Sequence, residues 1–122
     1  MNIIKRKIIG RLSKQGIDCS RLIYVTFRER FGINMPRSTE LLSKEGKKVK
    51  LKKLRAGDLI FFKIRFKGMH VGICMDNNKF LHTSKKIGVM ISKVNGYYWQ
   101  DKYWHSRRIT DSLFRHPYFI KF

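Results

Sequence analysis

HVGICMDNNKFLHTS, residues 70–84, carries the strongest structural signal in the chain. It contains two short runs, HVGICM (70–75) and KFLHTS (79–84), that are rich in β-branched and aromatic residues, and the polar DNN between them is typical of a turn. A link this short joins antiparallel neighbours, because a parallel pair needs a crossover of about a dozen residues or more. The stretch therefore predicts a β-hairpin with one histidine in each strand.

The length of the hairpin loop determines whether the two histidines, His70 and His82, lie on the same face of the sheet, since strand side chains alternate between faces. A strict two-residue turn would place them on opposite faces. A three-residue loop, Asp76 to Asn78, pairs Gly72 with His82 and brings both histidines to one face. A shared face is what a catalytic histidine pair requires, because one imidazole can then orient the other through its second ring nitrogen.

Further strands are indicated on both sides of the hairpin by LIFFKI (59–64) and GVMISKV (88–94). The links between successive strands are short, so an antiparallel sheet is predicted. The aromatic tail, residues 97–122, is expected to add one or two more strands. With helices before it, this sheet of about five or six strands predicts an α+β fold.

A helix is predicted in front of the sheet, because apolar side chains recur every four residues from Cys19 to Phe31. Asp18 is suited to cap its start, and Gly32 to end it. The segment MPRSTELLSKEG (35–46) predicts a turn and a short second helix, with Ser38 as its cap and Gly46 as its stop.

The composition predicts a single strongly basic domain spanning residues 1–122, in which 1–15 form a short basic N-terminal segment. Lys and Arg number 28 against 8 Asp and Glu, which gives a net charge of +20. This charge indicates either a polyanionic partner, such as nucleic acid, anionic lipid or an anionic wall polymer, or a solvated basic surface without a specific partner. The basic runs are scattered, which argues against a DNA-reading helix.

Two cysteines without a CxxC pair indicate neither a disulfide framework nor a structural zinc site. No apolar run is long enough for a transmembrane helix, and we expect no signal peptide in this sequence.

Cys19 lies in the first turn of the predicted helix, where free backbone N–H groups and the helix dipole stabilise a thiolate. Together with His70 and His82 it forms a candidate set for nucleophilic catalysis, with one histidine as base and the other as its orienting partner.

Three alternatives to this catalytic hypothesis stay open. Cys19 could be a small buried core residue, and the three side chains could bind zinc together with a water molecule. The aromatic residues of YYWQDKYWHSRR (97–108) could instead stack on nucleic-acid bases beside Arg107 and Arg108.

The chain resembles the NlpC/P60 family of cell-wall cysteine peptidases, and within it the Spr-type murein endopeptidases of Gram-negative bacteria. The resemblance runs from about residue 16 to 109. The matching segments, in order, are GIDCSRL, MPRSTELL, LRAGDLIFF, HVGICMDNNKFLHTS, GVMISKV and YWQDKYWHSRRI.

This resemblance implies a papain-like fold with Cys19 as nucleophile, His70 as general base and acid, and His82 as the residue that orients His70. It implies no metal or cofactor. The substrates of the family are amide bonds in peptidoglycan stem peptides, and the Spr type cleaves cross-links between D-alanine and diaminopimelate. We therefore expect a protein of the cell envelope, periplasmic or extracellular, that works as a monomer on peptidoglycan stem peptides, with anionic wall polymers as a further partner.

Two positions depart from the family pattern. Arg21 stands where the family usually has glycine two residues after the cysteine, and Lys7 stands where a tyrosine is common twelve residues before it. These departures leave open a catalytically degenerate module that binds wall fragments, or a related thiol hydrolase that acts on another amide.

Overall fold

The computed structural model describes residues 19–76, 78–84 and 86–109. Helix α1, Cys19–Phe31, has the predicted extent. It ends at Gly32, whose φ of 66° is left-handed and whose N–H donates to the carbonyl of Arg28 at 3.1 Å. The proposed cap Asp18 and the basic segment 1–15 lie outside the described residues.

The second helix, α2, spans Thr39–Leu42 and begins at the predicted cap, where the Ser38 hydroxyl accepts the N–H of Leu41. The prediction that Gly46 ends this helix is wrong, because α2 ends at Leu42. Gly46 has a φ of 66° and lies so close to the carbonyl of Arg108 that no Cβ would fit. It is therefore needed for close contact with the last strand.

Among the residues described, six antiparallel strands form one sheet, which confirms the predicted fold class. The strands are β1 (Lys47–Val49), β2 (Leu59–Ile64), β3 (Gly68–Cys74), β4 (Lys79–Ser84), β5 (Gly88–Lys93) and β6 (Tyr103–Arg108). Their order across the sheet is β1-β6-β2-β3-β4-β5, and a short 3₁₀ helix, Leu51–Lys53, follows β1. The four strands from β2 to β5 match the predicted runs closely. β6 comes from the aromatic tail, and β1 lies in a lysine-rich stretch with no strand signal.

The hairpin of β3 and β4 takes the three-residue register. Cys74 pairs with Phe80, and the N–H of Met75 donates to the carbonyl of Lys79 at 2.7 Å. The loop residue Asn78 has a left-handed φ of 61°, which asparagine tolerates. This register places His70 and His82 on the same face of the sheet.

Both faces of the sheet are covered by apolar side chains. On one face, α1 packs against alternate strand residues in a core cluster that includes Phe61, Val71 and Ile73. On the other face, Phe62 and Phe80 pack with Trp99, from the segment between β5 and β6, in a second cluster. The histidine pair belongs to this second face.

Candidate active site

A hydrogen bond joins the two predicted histidines. Nε2 of His70 lies 2.9 Å from Nδ1 of His82, with the two rings nearly perpendicular. The other nitrogen of His82, Nε2, lies 2.8 Å from the hydroxyl oxygen of Ser92 on β5. Three adjacent strands thus supply a chain of two hydrogen bonds that runs from His70 through His82 to Ser92. These two hydrogen bonds do not involve Nδ1 of His70.

Aromatic rings hold the two imidazoles in place. His82 is only 2% exposed and stacks on Phe80, with ring centroids 4.5 Å apart. The indole of Trp99 stacks on His70 at 5.1 Å and 23°, and it meets His82 edge-on at 5.0 Å. With neighbours on their faces and hydrogen bonds at their edges, the rings have little rotational freedom.

Burial makes both histidines weak bases. It lowers the pKa of His70 to about 4. It also lowers the pKa of His82 to about 3, with a further contribution from the charge of His70 and an opposing hydrogen bond to the Thr83 backbone. Both imidazoles are therefore neutral at pH 7, so His70 is in the form that can accept a proton.

Cys19 is the first residue of α1 and is 9% exposed. Its Sγ lies 3.5 Å from the hydroxyl oxygen of Thr39, the first residue of α2. The side chain belongs to the core cluster on the α1 face of the sheet, whereas His70 and His82 pack against rings of the cluster on the other face. The described hydrogen bond of this thiol is thus with a hydroxyl, and its contact with His70 stays a prediction.

The second cysteine, Cys74, is a packed residue of β3. It is 2% exposed, and its thiol donates to the carbonyl of Met75 at 2.9 Å. Burial, together with the nearby charges of Asp58 and Asp76, raises the pKa of this thiol to about 11. Cys74 therefore remains protonated at neutral pH and is a poor nucleophile.

The arrangement does not favour the zinc alternative. Within the ranges that the structure describes, no three His, Cys, Asp or Glu side chains gather in a way that could hold a metal ion. A histidine ligand also needs a free nitrogen lone pair, whereas both nitrogens of His82 have hydrogen-bond partners.

Comparison with known proteins identifies the family. The NlpC/P60 family model matches residues 8–108, which is most of the chain. The chain belongs to the NlpC/P60 family. It is 46% identical over 101 residues to a protein of Escherichia coli K12 named murein DD-endopeptidase MepS/murein LD-carboxypeptidase, and the match covers 83% of this chain and 54% of that protein. The chain thus spans about half the length of this curated relative.

Solved structures of NlpC/P60 proteins have the same fold. A lipoprotein-like NLP/P60 protein of Staphylococcus aureus superposes with a TM-score of 0.74 at 26% identity, over 87% of this chain and 40% of that one. RipD of Mycobacterium tuberculosis superposes with a TM-score of 0.63 at 25% identity, over 77% of this chain and 67% of that one. RipD is described as a non-catalytic NlpC/p60 domain protein adapted to peptidoglycan binding.

Three residues of the site were not predicted as parts of it: Thr39, Ser92 and Trp99. Residue parity contained a signal for Ser92, because β5 pairs with β4 and Ser92 lies opposite Phe80, two residues from His82 and on the same face. Trp99 was considered as a base-stacking residue; it packs against the second core cluster, and its ring covers His70. Thr39 had no signal, since its contact with the thiol depends on how the two helices pack.

Proposed function

We propose that this NlpC/P60 protein is a cysteine peptidase that hydrolyses amide bonds in peptidoglycan stem peptides or their cross-links. The observation that carries the proposal is the hydrogen bond between Nε2 of His70 and Nδ1 of His82. This hydrogen bond does not use Nδ1 of His70, so that nitrogen can act as the base. Support comes from the helix-start position of Cys19 and from the relative named as a murein endopeptidase.

In the proposed mechanism, Nδ1 of His70 takes the proton of the Cys19 thiol, and the thiolate attacks the amide carbonyl carbon. His70 then returns the proton to the leaving amine as the carbon–nitrogen bond breaks, which gives a thioester on Cys19. Water then attacks the thioester carbonyl, and His70 accepts a proton from this water. The carbon–sulfur bond breaks, the carboxylate product leaves, and His70 returns the proton to Cys19, which regenerates the thiol. Throughout, His82 accepts a hydrogen bond from Nε2 of His70 and stabilises the imidazolium.

Charge on the carbonyl oxygen needs its own donors. The backbone N–H groups of the first turn of α1 have no acceptor within the helix, and they are close to Cys19. One such donor is worth about 3 kcal/mol of barrier in acyl-transfer enzymes. The Thr39 hydroxyl, 3.5 Å from the sulfur, can donate to the thiolate between turnovers.

The proposal is tested by incubating cross-linked murein sacculi with the purified protein and identifying the soluble products by mass spectrometry. We expect new stem-peptide ends with the unmodified protein and none with Cys19→Ala. Cys74→Ala is the matched control, because it removes the other thiol and should retain activity. Release of the same products by Cys19→Ala would contradict the proposal.

A second candidate function is wall binding without cleavage. The similarity to RipD favours it, and so does the exposed Arg21, which replaces the usual glycine in the first turn of α1. In the same experiment, protein that co-sediments with sacculi but releases no peptides would support this binding module over the peptidase.

The basic surface suggests an anionic partner within the cell envelope. Five lysines in and around β1 and the 3₁₀ helix are exposed: Lys47, Lys48, Lys50, Lys52 and Lys53. We propose that they bind the carboxylates or phosphates of wall polymers. Co-sedimentation with sacculi should then weaken as salt is raised, because exposed charges are screened. Of the aromatic residues in the nucleic-acid alternative, Trp99 and Tyr103 pack against the second core cluster, whereas Tyr97, Tyr98 and Trp104 are exposed. A salt-dependent shift with single-stranded oligonucleotides that survives Cys19→Ala would support this alternative.

A further inference from the structure

We propose that Ser92 is a positioning residue that sets the tautomer of His82 and thereby keeps Nδ1 of His70 free to act as a base. This inference rests on the proposed peptidase function for its catalytic consequence. Its structural basis is the chain of two hydrogen bonds, 2.9 Å from His70 to His82 and 2.8 Å from His82 to Ser92.

A neutral imidazole has one N–H donor and one lone-pair acceptor, so the chain has only two consistent directions. In the first direction, His70 donates from Nε2 to Nδ1 of His82, and His82 donates from Nε2 to Ser92. In the second, Ser92 donates to His82, His82 donates from Nδ1 to His70, and the proton of His70 lies on Nδ1. Only the first direction leaves a lone pair on the ring nitrogen that must accept the thiol proton.

Ser92 makes the first direction possible by providing an acceptor for a buried donor. His82 is 2% exposed, so a proton on its Nε2 would have little access to water without the serine oxygen. A buried N–H without a partner is strongly disfavoured. The hydroxyl of Ser92 therefore stabilises the tautomer in which His82 accepts from His70, although it does not contact the reacting atoms.

The tautomer can be measured without catalysis. We expect long-range ¹H–¹⁵N NMR spectra of the ¹⁵N-histidine-labelled protein to show both His70 and His82 protonated on Nε2 at pH 7. In Ser92→Ala, the His82 proton should move at least partly to Nδ1, whereas Ser92→Thr, which keeps the hydroxyl, should preserve the original spectrum. A His82 proton on Nδ1 in the unmodified protein, or an unchanged spectrum in Ser92→Ala, would overturn the inference.

The kinetic consequence is a second test. Ser92→Ala should lower kcat on sacculi roughly 10- to 100-fold with little change in KM, a part of the 10²–10⁴ that general acid–base catalysis supplies. Ser92→Thr should restore most of the rate. Ser84→Ala is the matched control, because this β4 hydroxyl bonds only to backbone N–H groups of the neighbouring turn among the described contacts.

The two tests separate failure of the inference from failure of the proposed function. Full activity in Ser92→Ala, or loss of activity that Ser92→Thr does not restore, would overturn the positioning role while leaving the peptidase intact. If the unmodified protein cleaves nothing, the peptidase proposal fails, and the NMR tautomers alone then support or refute the role of Ser92 in orienting the pair.

Discussion

The buried histidine pair should make the stability of the fold sensitive to mild acid. In the unfolded chain, histidines titrate near pH 6.5, whereas burial lowers the pKa of His70 to about 4 and that of His82 to about 3. As the pH falls below 6.5, the unfolded state therefore binds protons that the folded state does not. The stabilising contribution is fully present above pH 6.5 and is lost as the pH falls toward 4 and then 3.

The size of the effect follows from these values. Each histidine loses at most about 2 kcal/mol of stabilisation between pH 7 and pH 5. Solvent near the half-buried His70 reduces its share, so the pair should lose roughly 3 kcal/mol. A loss of this size is a large fraction of the 5–15 kcal/mol that typically stabilises a domain.

The assay is urea unfolding at pH 7 and at pH 5, with the unmodified protein and with the double variant His70→Gln/His82→Gln. We expect the unmodified protein to lose about 3 kcal/mol more than the double variant between the two pH values. His70→Gln alone should remove less than half of the difference, because His82 is the more deeply buried ring. Equal losses in all three proteins would contradict this pKa assignment, because the imidazoles would then accept protons freely in the folded state.

Three further substitutions test the surroundings of the site. Gly72→Ala should destabilise the fold by about 1–3 kcal/mol in urea unfolding, because its Cβ would stand 2.5 Å from the ring of Phe80; an unchanged midpoint would contradict this packing. Trp99→Ala should lower kcat by disordering the imidazole beneath it, and Trp99→Phe should retain more of the rate because it keeps a ring to stack; equal rates in both variants would exclude a stacking role. Thr39→Val should slow alkylation of Cys19 severalfold at pH 7 by removing the hydroxyl beside the sulfur, as followed by peptide mass spectrometry; an unchanged rate would show that Thr39 does not stabilise the thiolate.

Much of the sheet could be predicted from local sequence, since β2 to β5 follow one another with short links and are runs rich in β-branched and aromatic residues. The strand β1 could not, because it has only three residues, two of them exposed lysines. Its pairing with β6 joins residues that are about sixty positions apart, for example Lys47 and Arg108. Gly46 was misinterpreted for the same reason, since its role depends on that distant strand.

The site was predictable to the extent that strand parity determines it. The shared face of His70 and His82 follows from the loop length, and the structure has the register that brings the rings into contact. Parity cannot show which side chains cover a ring or approach a sulfur, because those contacts depend on how helices and long turns pack on the sheet. The contacts of Trp99 with His70 and of Thr39 with Cys19 therefore had to come from the structure.

Activation of the Cys19 thiol by His70 can be measured as the rate of thiol alkylation. Purified protein is treated with iodoacetamide at pH 7, and modification of each cysteine is followed by peptide mass spectrometry, with the buried Cys74 as the internal reference. We expect Cys19 to react faster than Cys74, whose pKa is raised to about 11. His70→Ala should slow the reaction of Cys19 roughly tenfold and leave that of Cys74 unchanged, because the thiolate is the reactive form. A Cys19 rate that is the same with and without the imidazole of His70 would contradict the account.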